Sequence, residues 1–579
     1  MLLESIWQDV AQNLGPKLKP LLKYYAIFAV GHSLWKICWR LHKYLRFLRL
    51  TWHLPNNTPD LLAKGIRMNS HRINEWNYEI LAPFEGKPLV HRPGIDNVLC
   101  CNTEESIKWM LKDEFDNITK PDASNDPIFS LLNEFIGPAI FVLRHGDKES
   151  AEHLKWLHQR KTASKIFTRN SVEIDMFPTF VQKSNILVAK LQQTATLNES
   201  VTSNAAAEGA HQIDMQGKFF QFTFDSIQRI FMGREIDTVG TDEEDPYAKA
   251  FDGAHRSMLL YLFNQIPLVL VSRLLLPYPF GELHPQGFGT SVLLKLFRYF
   301  NPHYNDFQEN LTFLREETMQ RVRELRTDPN MKSRNDLMAK FLQVDAAEGG
   351  RLSDDDLSAI ILNLVIAGRD TTACLLSWLF YYLSINQEVQ SKLIEELETV
   401  LQGRELEPAD LRGDQLPYLN GCIFEAVRLA PPVPMNIKIA SQDVQFHETT
   451  IPAGTKLLYS PYVMGRRSSK YDNPETFDPS RWIPFQEPSM YDFPAWQAGN
   501  RFCLGVQMSR FEAACVVASV FKKPKNGRGL RFFLEESQHG KITSSVMLTM
   551  SIRNDKDQES NSVEHTHNLY LIPRFRDEK

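Results

Sequence analysis

The sequence predicts a mainly α-helical fold with small β-sheets, on three observations. Apolar residues recur with helical spacing through most of residues 100–430. Between residues 60 and 100, short apolar runs separated by Pro and Gly indicate a small β-rich segment. Beyond Pro431 the chain becomes proline-rich coil with short strands up to about residue 500, and one more helix follows. The sequence has no internal repeat, so we expect one large α-rich domain.

The composition excludes several classes of protein. The chain has 579 residues, of which 43% are hydrophobic and 11% aromatic, so a large core is available and a wholly disordered chain is excluded. A net charge of −5 argues against a globally basic nucleic-acid-binding protein. The seven Cys form no C-x-x-C pair, which argues against a disulfide framework or a Cys-rich zinc site.

Residues 1–55 are predicted to form a membrane anchor with a basic flank. Leu21–Trp39 is mostly apolar, although basic and polar residues interrupt it, and five basic residues follow within Arg40–Arg49. No small-residue cleavage site follows, as a removed signal peptide would require. If the segment spans the membrane, its basic flank places the following domain in the cytosol. An amphipathic helix packed on the soluble domain is the alternative, and the sequence does not separate spanning from interfacial binding.

Residues 56–553 are predicted to form the main domain, in which five segments carry clear helical periodicity. These segments are Thr103–Lys112, Ala151–Phe167, Ile174–Leu197, Met215–Met232 and Ser353–Asn386. The polar stretch Asn198–Gly209 is predicted as a surface loop, and residues 266–305, rich in Leu, Phe and Pro, as a lid region. Residues 554–579 are predicted as a polar C-terminal tail.

The most informative segment is Trp496–Gly505, which reads WQAGNRFCLG. A lone Cys is usually an inert core residue. Here Gly499 and Gly505 bracket Cys503 and would let the backbone approach a flat ligand closely. Arg501 adds a cation two residues away, and a helix is predicted immediately afterwards. The positive end of that helix would lower the pKa of the thiol, so the loop suits a proximal thiolate ligand of iron.

This segment resembles the haem-binding signature of cytochrome P450 monooxygenases, F-x-x-G-x-R-x-C-x-G. Trp496 stands where the family usually has Phe. The resemblance covers nearly all of residues 60–553 and implies the cytochrome P450 fold, an α-rich domain with a small β-rich segment. It also implies a haem b (iron protoporphyrin IX) with the Cys503 thiolate as axial ligand, and contacts to this cofactor from Trp496, Gly499 and Gly505.

Ile361–Cys374 is predicted as an apolar helix that Gly368, Asp370 and Thr371 interrupt. By itself this pattern favours a buried helix whose Thr hydroxyls bond to the preceding turn. Beside the cysteine loop, it resembles the family pattern A-G-x-D/E-T-T. The resemblance implies that the glycine opens a groove over the haem and that Asp370 and Thr371 deliver protons there.

Glu425 and Arg428 are three residues apart and therefore share one helical face. An exposed pair of this kind would contribute less than about 1 kcal/mol. Apolar neighbours and the resemblance to the family's E-x-x-R motif point instead to a buried structural clamp. By the same resemblance, Phe477–Trp482 supplies Arg481 as the third member of a network that holds the cysteine loop.

Trp156 and Arg160 lie one turn apart and match the family's W-x-x-x-R pattern. An ordinary amphipathic helix explains this spacing equally well when it is taken alone. The resemblance implies that Trp156, Arg160 and Arg501 bind a haem propionate, and His158 is a further candidate.

Several stretches resemble the fatty-acid ω-hydroxylase branch of the family, namely Ile213–Gln216, Phe224–Ile227, Ile360–Asn363, Leu376–Phe380 and Val546–Thr549. The branch implies a long apolar substrate that is attacked near its far end. By their positions relative to the motifs, the candidate substrate residues are Ala367, Val433, Met435, Asn436 and Val546. Residues 258–280 could form an access channel or a plain packed core.

The predicted function is that of a haem-thiolate monooxygenase, which inserts one oxygen atom from O2 into a C–H bond of a hydrophobic substrate. The resemblance implies that electrons come from NADPH through a separate NADPH–cytochrome P450 reductase, with cytochrome b5 as an optional second donor. The chain has no P-loop and no G-x-G-x-x-G after a strand, so the sequence indicates no nicotinamide or flavin domain of its own. The expected location is the endoplasmic reticulum membrane, with the catalytic domain in the cytosol.

Two alternatives stay open. A haem-thiolate isomerase or dehydratase would rearrange a lipid peroxide without O2 or a reductase, and the Asp370–Thr371 pair argues against it. A non-catalytic lipid-binding or haem-binding membrane protein is the second alternative, and the complete set of motifs argues against it.

Overall fold

The computed structural model describes residues 15–55, 72–92, 97–123, 126–199, 210–275, 298–350, 352–411, 414–525, 527–535, 538–545, 549–554 and 569–576. The chain forms two compact units. The smaller unit comprises residues 1–52, 121–135 and 251–312, and the larger unit comprises residues 53–120, 136–250 and 313–579.

Helices dominate the structure, as the sequence predicts. The longer ones are α1 (Gly15–Thr51), α2 (Ile73–Leu81), α3 (Pro127–Ile136), α4 (Ala151–Ile166), α5 (Phe177–Asn198), α6 (Met215–Met232), α7 (Pro246–Leu275), α8 (Pro302–Thr327), α9 (Leu337–Ala347), α10 (Asp354–Ile385), α11 (Gln387–Leu401), α12 (Pro417–Leu429) and α13 (Val506–Phe521). Short helical turns are Ala82–Phe84, Glu104–Lys108, Trp109–Asp113, Arg169–Ser171, Val172–Met176, Thr238–Thr241, Met331–Ser333, Pro408–Leu411, Pro461–Met464, Pro479–Trp482, Pro494–Trp496 and Gly499–Arg501.

The strands form small sheets. They are β1 (Val90–Arg92), β2 (Val98–Cys100), β3 (Ile118–Thr119), β4 (Ile213–Asp214), β5 (Asn436–Ala440), β6 (Val444–Phe446), β7 (Thr449–Ile451), β8 (Lys456–Tyr459), β9 (Leu530–Leu534), β10 (Ile542–Ser544), β11 (Ile552–Asn554) and β12 (Tyr570–Phe575). One sheet has the order β1-β2-β8-β5-β3, in which only the β2–β8 pair is parallel. A second has the order β4-β12-β9, and β6-β7 and β10-β11 are hairpin pairs.

The long helix α10 lies at the centre of the larger unit. Both the capping residues at its start and the burial of its side chains favour a helix here. Ser353 caps its first turn by accepting from the Asp356 N–H at 3.1 Å, and three Asp residues follow at the positive end of the helix dipole. The helix is buried along most of its length and packs against α6, α12 and α13. Its apolar character therefore reflects core packing.

Three predicted helices closely match the structure. The bounds of α6 are those predicted, because Asp214 caps its start and Gly233, with a φ of +62°, ends it. Helix α10 is one residue shorter than predicted at each end, and α4 is one residue shorter at its C-terminal end. By contrast, α5 begins at Phe177 rather than at residue 174, because a π-helical turn precedes it and Pro178 occupies its first turn.

Two predicted segments contain regular secondary structure. In the predicted lid, residues 266–275 continue α7 and residues 302–305 begin α8, and residues 276–297 lie outside the described residues. Residues 570–575, assigned to a polar tail, form β12, which pairs antiparallel with β9 and β4. The buried residues Leu571 and Ile572 explain why this apolar run joins the sheet.

Helix α1 exposes large apolar side chains. Ile27, Trp35 and Trp39 are 62%, 58% and 45% exposed. Among the described residues, α10 is the only helix long and apolar enough to cross a membrane, and 78% of its most apolar window is buried inside the protein. Helix α10 is therefore a core helix.

Candidate haem-binding active site

Cys503 lies in the loop that precedes α13. Its backbone N–H donates to the Trp496 carbonyl at 2.9 Å, which closes the loop. Gly499 has a φ of +58°, and a Cβ there would lie 2.2 Å from the carbonyl oxygen of Leu111. A close approach of protein backbone therefore requires a glycine at this position. A Cβ at Gly505 would lie 3.9 Å from the Cys503 sulfur, so this glycine leaves space beside it.

The electrostatic setting of Cys503 differs from the prediction. Burial raises the pKa of the Cys503 thiol, while the Gly505 N–H and the nearby Arg160 guanidinium act in the opposite direction. The predicted lowering of this pKa is wrong for the protein alone, because burial outweighs the helix dipole. A coordinated metal ion reverses this balance, since it binds and deprotonates the thiol.

Cys515, in α13, offers a contrast. Its side chain is fully buried, its sulfur lies 3.8 Å from the Ser184 hydroxyl, and burial raises its pKa to about 12. It behaves as a core thiol.

Arg501 is a buried cation held by neutral groups. Its guanidinium lies 4.3 Å above the Trp156 ring and donates to the carbonyls of Ile140 at 3.0 Å and Leu143 at 2.8 Å. It also donates to Nδ1 of His145 at 2.7 Å. Burial and the charge of Arg160 together lower the pKa of Arg501 to about 9, while the charge of Glu152 acts in the opposite direction. None of these direct contacts is to a carboxylate, so within the described residues Arg501 has neutral hydrogen-bond partners and no ion pair.

Three more cations surround Arg501, and together they form the cationic cluster of Lys120, Arg160, Lys438 and Arg501. Lys120 donates to the Phe141 carbonyl and Arg160 to the Phe502 carbonyl. Lys438 is 2% exposed. Burial and the charge of Arg501 lower the pKa of Lys438 to about 7.

The cationic cluster fits a ligand that carries carboxylates. Buried charges are costly unless an opposite charge pairs with them. The nearest acidic influence on Arg501 is Glu152, which forms its ion pair with Arg144 at 2.9 Å, and no ion pair joins a carboxylate of the described residues to the cluster. The indole N–H of Trp156 is also buried without a partner in the described structure. The two propionates of a haem would satisfy both the cations and this donor.

Sequence analysis missed Lys120, Lys438 and His145. Lys438 is the one charged residue of strand β5, NIKIA, and a lone Lys in a short apolar strand was a usable signal. Lys120 and His145 lie in irregular segments that only the fold brings to Arg501. His158, by contrast, does not contact this cluster, because its Nε2 lies 3.0 Å from Asp345 Oδ1 and its Nδ1 lies 3.6 Å from Glu348. Its prediction as a propionate ligand is wrong.

The acid–alcohol pair lies on one continuous stretch of α10. The Asp370 carboxylate is 3.2 Å from the Arg369 guanidinium, and both side chains are buried. The Thr371 hydroxyl donates to the Ala367 carbonyl at 2.5 Å, one turn earlier. A Cβ at Gly368 would lie 2.2 Å from Cδ1 of Ile227, so this glycine allows close packing of α10 against α6.

The structure brings Glu425, Arg428 and Arg481 together. Arg428 donates to both carboxylate oxygens of Glu425, at 2.7 and 2.6 Å, and both side chains are fully buried. Arg481 lies 3.3 Å from the same carboxylate. The indole of Trp482 and the backbone N–H of Asp478 also donate to Glu425, at 3.0 and 2.9 Å. The carboxylate therefore has a full set of donors.

Trp496 links this clamp to the cysteine loop. Its ring centroid lies 5.3 Å from that of Phe424 in α12 and 5.9 Å from that of Phe493. An aromatic residue at this position thus keeps its packing role, although it is Trp rather than Phe.

The predicted substrate residues have different surroundings. Met435 packs on the apolar cluster around Trp76, and Asn436 accepts a hydrogen bond from Gln497. Val433 and Ala367 are half-buried, and Val546 lies outside the described residues.

The fold and the site together define a haem-thiolate protein, since a partly buried thiol just before a helix start lies beside cations that form no ion pair with a carboxylate of the described residues. The Cytochrome P450 family model matches residues 149–523, well over half of the chain. The chain therefore belongs to the cytochrome P450 family. It is a monooxygenase that uses a haem with an axial cysteine thiolate and receives electrons from a reductase.

Relatives agree over most of the chain. Cytochrome P450 CYP94D108 of Paris polyphylla is 28% identical over 484 residues, which cover 81% of this chain and 85% of the relative. Cytochrome P450 704C1 of Pinus taeda is 27% identical over 552 residues, covering 91% and 95%. The crystal structure of the cytochrome P450DA haem domain shares the fold, with a TM-score of 0.66 and 16% identity over 90% of this chain and 98% of that chain.

Proposed function

We propose that the enzyme hydroxylates long-chain fatty acids near the end far from the carboxylate, with Cys503 as the axial ligand of its haem. The observation that carries the site assignment is the cationic cluster, which lacks a contacting carboxylate, next to the Cys503 loop. The resemblance of several stretches to the ω-hydroxylase branch, and the similarity to relatives named cytochrome P450 94A1, 86B1 and 704C1, support the substrate class.

Four cations and one indole would hold the propionates of the haem, namely Lys120, Trp156, Arg160, Lys438 and Arg501. Gly505 would leave space beside the Cys503 thiolate, and Trp496 would support the cysteine loop by packing against Phe424 and Phe493. The bound haem supplies the activation of oxygen and the oxidation of the C–H bond. Glu425, Arg428 and Arg481 would fix the position of the loop. Among the predicted substrate residues, Ala367, Val433, Met435, Asn436 and Val546, the half-buried Ala367 and Val433 are the best placed to contact a ligand.

Asp370 and Thr371 would manage protons on the substrate side. The buried Asp370 carboxylate can hold a proton and pass it to the neighbouring hydroxyl, and Arg369 steadies it at 3.2 Å. The Thr371 hydroxyl must then exchange the Ala367 carbonyl for a water or ligand oxygen. Because the Ala367 carbonyl already bonds to the backbone of the helix, this exchange costs the helix little.

The electron donor is proposed to be NADPH–cytochrome P450 reductase, with cytochrome b5 as an optional second donor. The sequence supports an external donor, because it contains no nucleotide-binding motif of its own.

Helix α1 is proposed to anchor the enzyme in the endoplasmic reticulum membrane, with residues 1–55 as anchor, 56–553 as cytosolic haem domain and 554–579 as C-terminal segment. The exposed Ile27, Trp35 and Trp39 of α1 and its basic residues support this placement. Full-length protein should remain with sedimented membranes after alkaline carbonate and be released by detergent. Release by carbonate alone would contradict an embedded anchor.

The activity is tested with purified holoenzyme, reductase, NADPH and saturated fatty acids of graded chain length. We expect a change of iron spin state when a fatty acid binds, and a product hydroxylated near its far end. Conversion of a lipid hydroperoxide without NADPH would instead identify the isomerase class. Oxidation confined to sterols or aromatic compounds would contradict the fatty-acid proposal.

In the same assay, Thr371→Val and Asp370→Asn should each lower product formed per NADPH consumed by roughly 100-fold, the lower range of general acid–base effects. Ser377→Ala is the matched control, because the Ser377 hydroxyl makes the same kind of bond in α10, to Ala373 at 2.7 Å. Equal losses in all three variants would show a structural effect and contradict the proton role.

A further inference from the structure

We propose that His145 is a positioning residue for the haem carboxylate site, a neutral imidazole that aims Arg501 without neutralising its charge. This inference rests on the proposed function, in which Arg501 binds a propionate. Neither the family signature nor the sequence patterns include His145, which lies between Leu143 and α4.

The contacts of His145 define its tautomer. Both Nη2 and Nε of Arg501 approach its Nδ1, at 2.7 and 3.2 Å. Since a guanidinium can only donate, Nδ1 must accept, and the ring proton must lie on Nε2. Nε2 faces the Phe115 carbonyl at 2.9 Å, where it donates. The imidazole also stacks on the Phe115 ring, with centroids 3.8 Å apart and planes 13° apart. The ring is thus held on both its edges and one face.

The surroundings of His145 keep it uncharged. The side chain is buried, and burial together with the charges of Arg501, Lys438 and Lys120 lowers its pKa to about 2. The bond to the Phe115 carbonyl opposes this lowering and is too weak to reverse it. At neutral pH the imidazole therefore contributes a hydrogen-bond acceptor and no net charge.

A neutral acceptor suits this position because Arg501 must keep its charge for another partner. A guanidinium has five N–H bonds, and the contacts of Arg501 account for four of them. All four go to neutral acceptors, namely the carbonyls of Ile140 and Leu143 and the imidazole of His145. One N–H on Nη1 has no partner in the described part of the chain. A carboxylate at position 145 would orient Arg501 equally well, but it would cancel the attraction for an incoming propionate.

The test compares His145→Asp with His145→Asn in the purified full-length holoenzyme. Asn offers a neutral oxygen near the position of Nδ1, so haem loss to apomyoglobin should remain close to that of the parent. Asp adds a negative charge, and haem loss should be about ten- to a hundred-fold faster, the usual range for groups that support a ligand. The reduction potential of the haem should shift downwards in His145→Asp alone, because a nearby negative charge favours the ferric state.

Controls separate this role from general damage. His153→Asn changes another buried histidine, which lies 5.7 Å from the Trp156 ring and makes no contact with Arg501, and it should leave haem loss and potential unchanged. If His145→Asp takes up no haem, haem loss from His145→Ala tests the proposal instead, because this change removes the hydrogen-bond acceptor of Arg501 without adding a charge. Haem loss in His145→Ala equal to that of the parent would overturn the proposal.

A last variant distinguishes this inference from the proposed function. If Arg501→Gln leaves haem loss and potential unchanged, the assignment of Arg501 to a propionate is wrong. If Arg501→Gln changes both while His145→Asp and His145→Asn behave alike, only the role of His145 is overturned.

Discussion

Replacing Cys503 with serine is expected to abolish hydroxylation and to remove the thiolate signature from the optical spectrum. An axial thiolate donates electron density to iron and thereby favours O–O cleavage. A serine hydroxyl ionises far less readily than a thiol and would donate much less electron density. The backbone of the loop should persist, because the Cys503 N–H bonds to the Trp496 carbonyl whatever its side chain. Activity and absorption spectra of the purified variant are the measurements.

Cys515→Ser is the matched control for this prediction. Cys515 is fully buried in α13, the helix that follows the Cys503 loop. Its sulfur lies 3.8 Å from the Ser184 hydroxyl, a contact that a serine hydroxyl can replace. We expect this variant to keep both the spectrum and turnover. If Cys515→Ser lost the thiolate signature and Cys503→Ser kept it, Cys515 would be the axial ligand, and the assignment of Cys503 would be wrong.

Replacing Glu425 with alanine is expected to lower the free energy of unfolding by about 3–5 kcal/mol, the cost of breaking a buried ion pair. The change leaves the fully buried Arg428 without its bidentate partner and removes the acceptor of the Trp482 indole and the Asp478 N–H. Since these groups connect α12 to the segment before the cysteine loop, haem content should fall with stability. Denaturant unfolding and haem quantitation check both effects.

Two comparisons sharpen this prediction. Arg481→Ala should cost less than about 1 kcal/mol, because its contact to Glu425 is longer, at 3.3 Å, and its side chain is partly exposed. The double variant Glu425→Met with Arg428→Met should be more stable than Glu425→Met alone, since it leaves no unpaired buried charge. Equal stability of Glu425→Ala and the parent would contradict a clamp.

The sequence predicts those parts of the site that lie within one short segment. Cys503 with its flanking glycines is one loop, and Glu425 and Arg428 share one turn of a helix, so spacing alone indicates their chemistry. Lys120, Lys438 and His145 were missed because they come from separate segments that only the fold brings to Arg501. In the sequence, each of these three is a single residue with no motif around it that indicates a role in the site.

Errors in the predictions have the same physical origin. The pKa of Cys503 was predicted to fall because the helix dipole is a local feature, whereas burial depends on the whole fold and outweighs it. The backbone contact of Gly499 was not predicted, because its close neighbour, the Leu111 carbonyl, is remote in sequence. Strand β12 was assigned to a tail because its partners β9 and β4 are likewise remote. Helical bounds were predicted well where a cap such as Asp214 marks them.

The most direct test of this account is the absorption spectrum of the purified, haem-loaded full-length protein, reduced and exposed to carbon monoxide. Ligation of iron by the Cys503 thiolate predicts a strongly red-shifted Soret band, which Cys515→Ser retains and Cys503→Ser loses. A Soret band at the position typical of histidine-ligated haem in the well-folded parent protein would contradict the central claim.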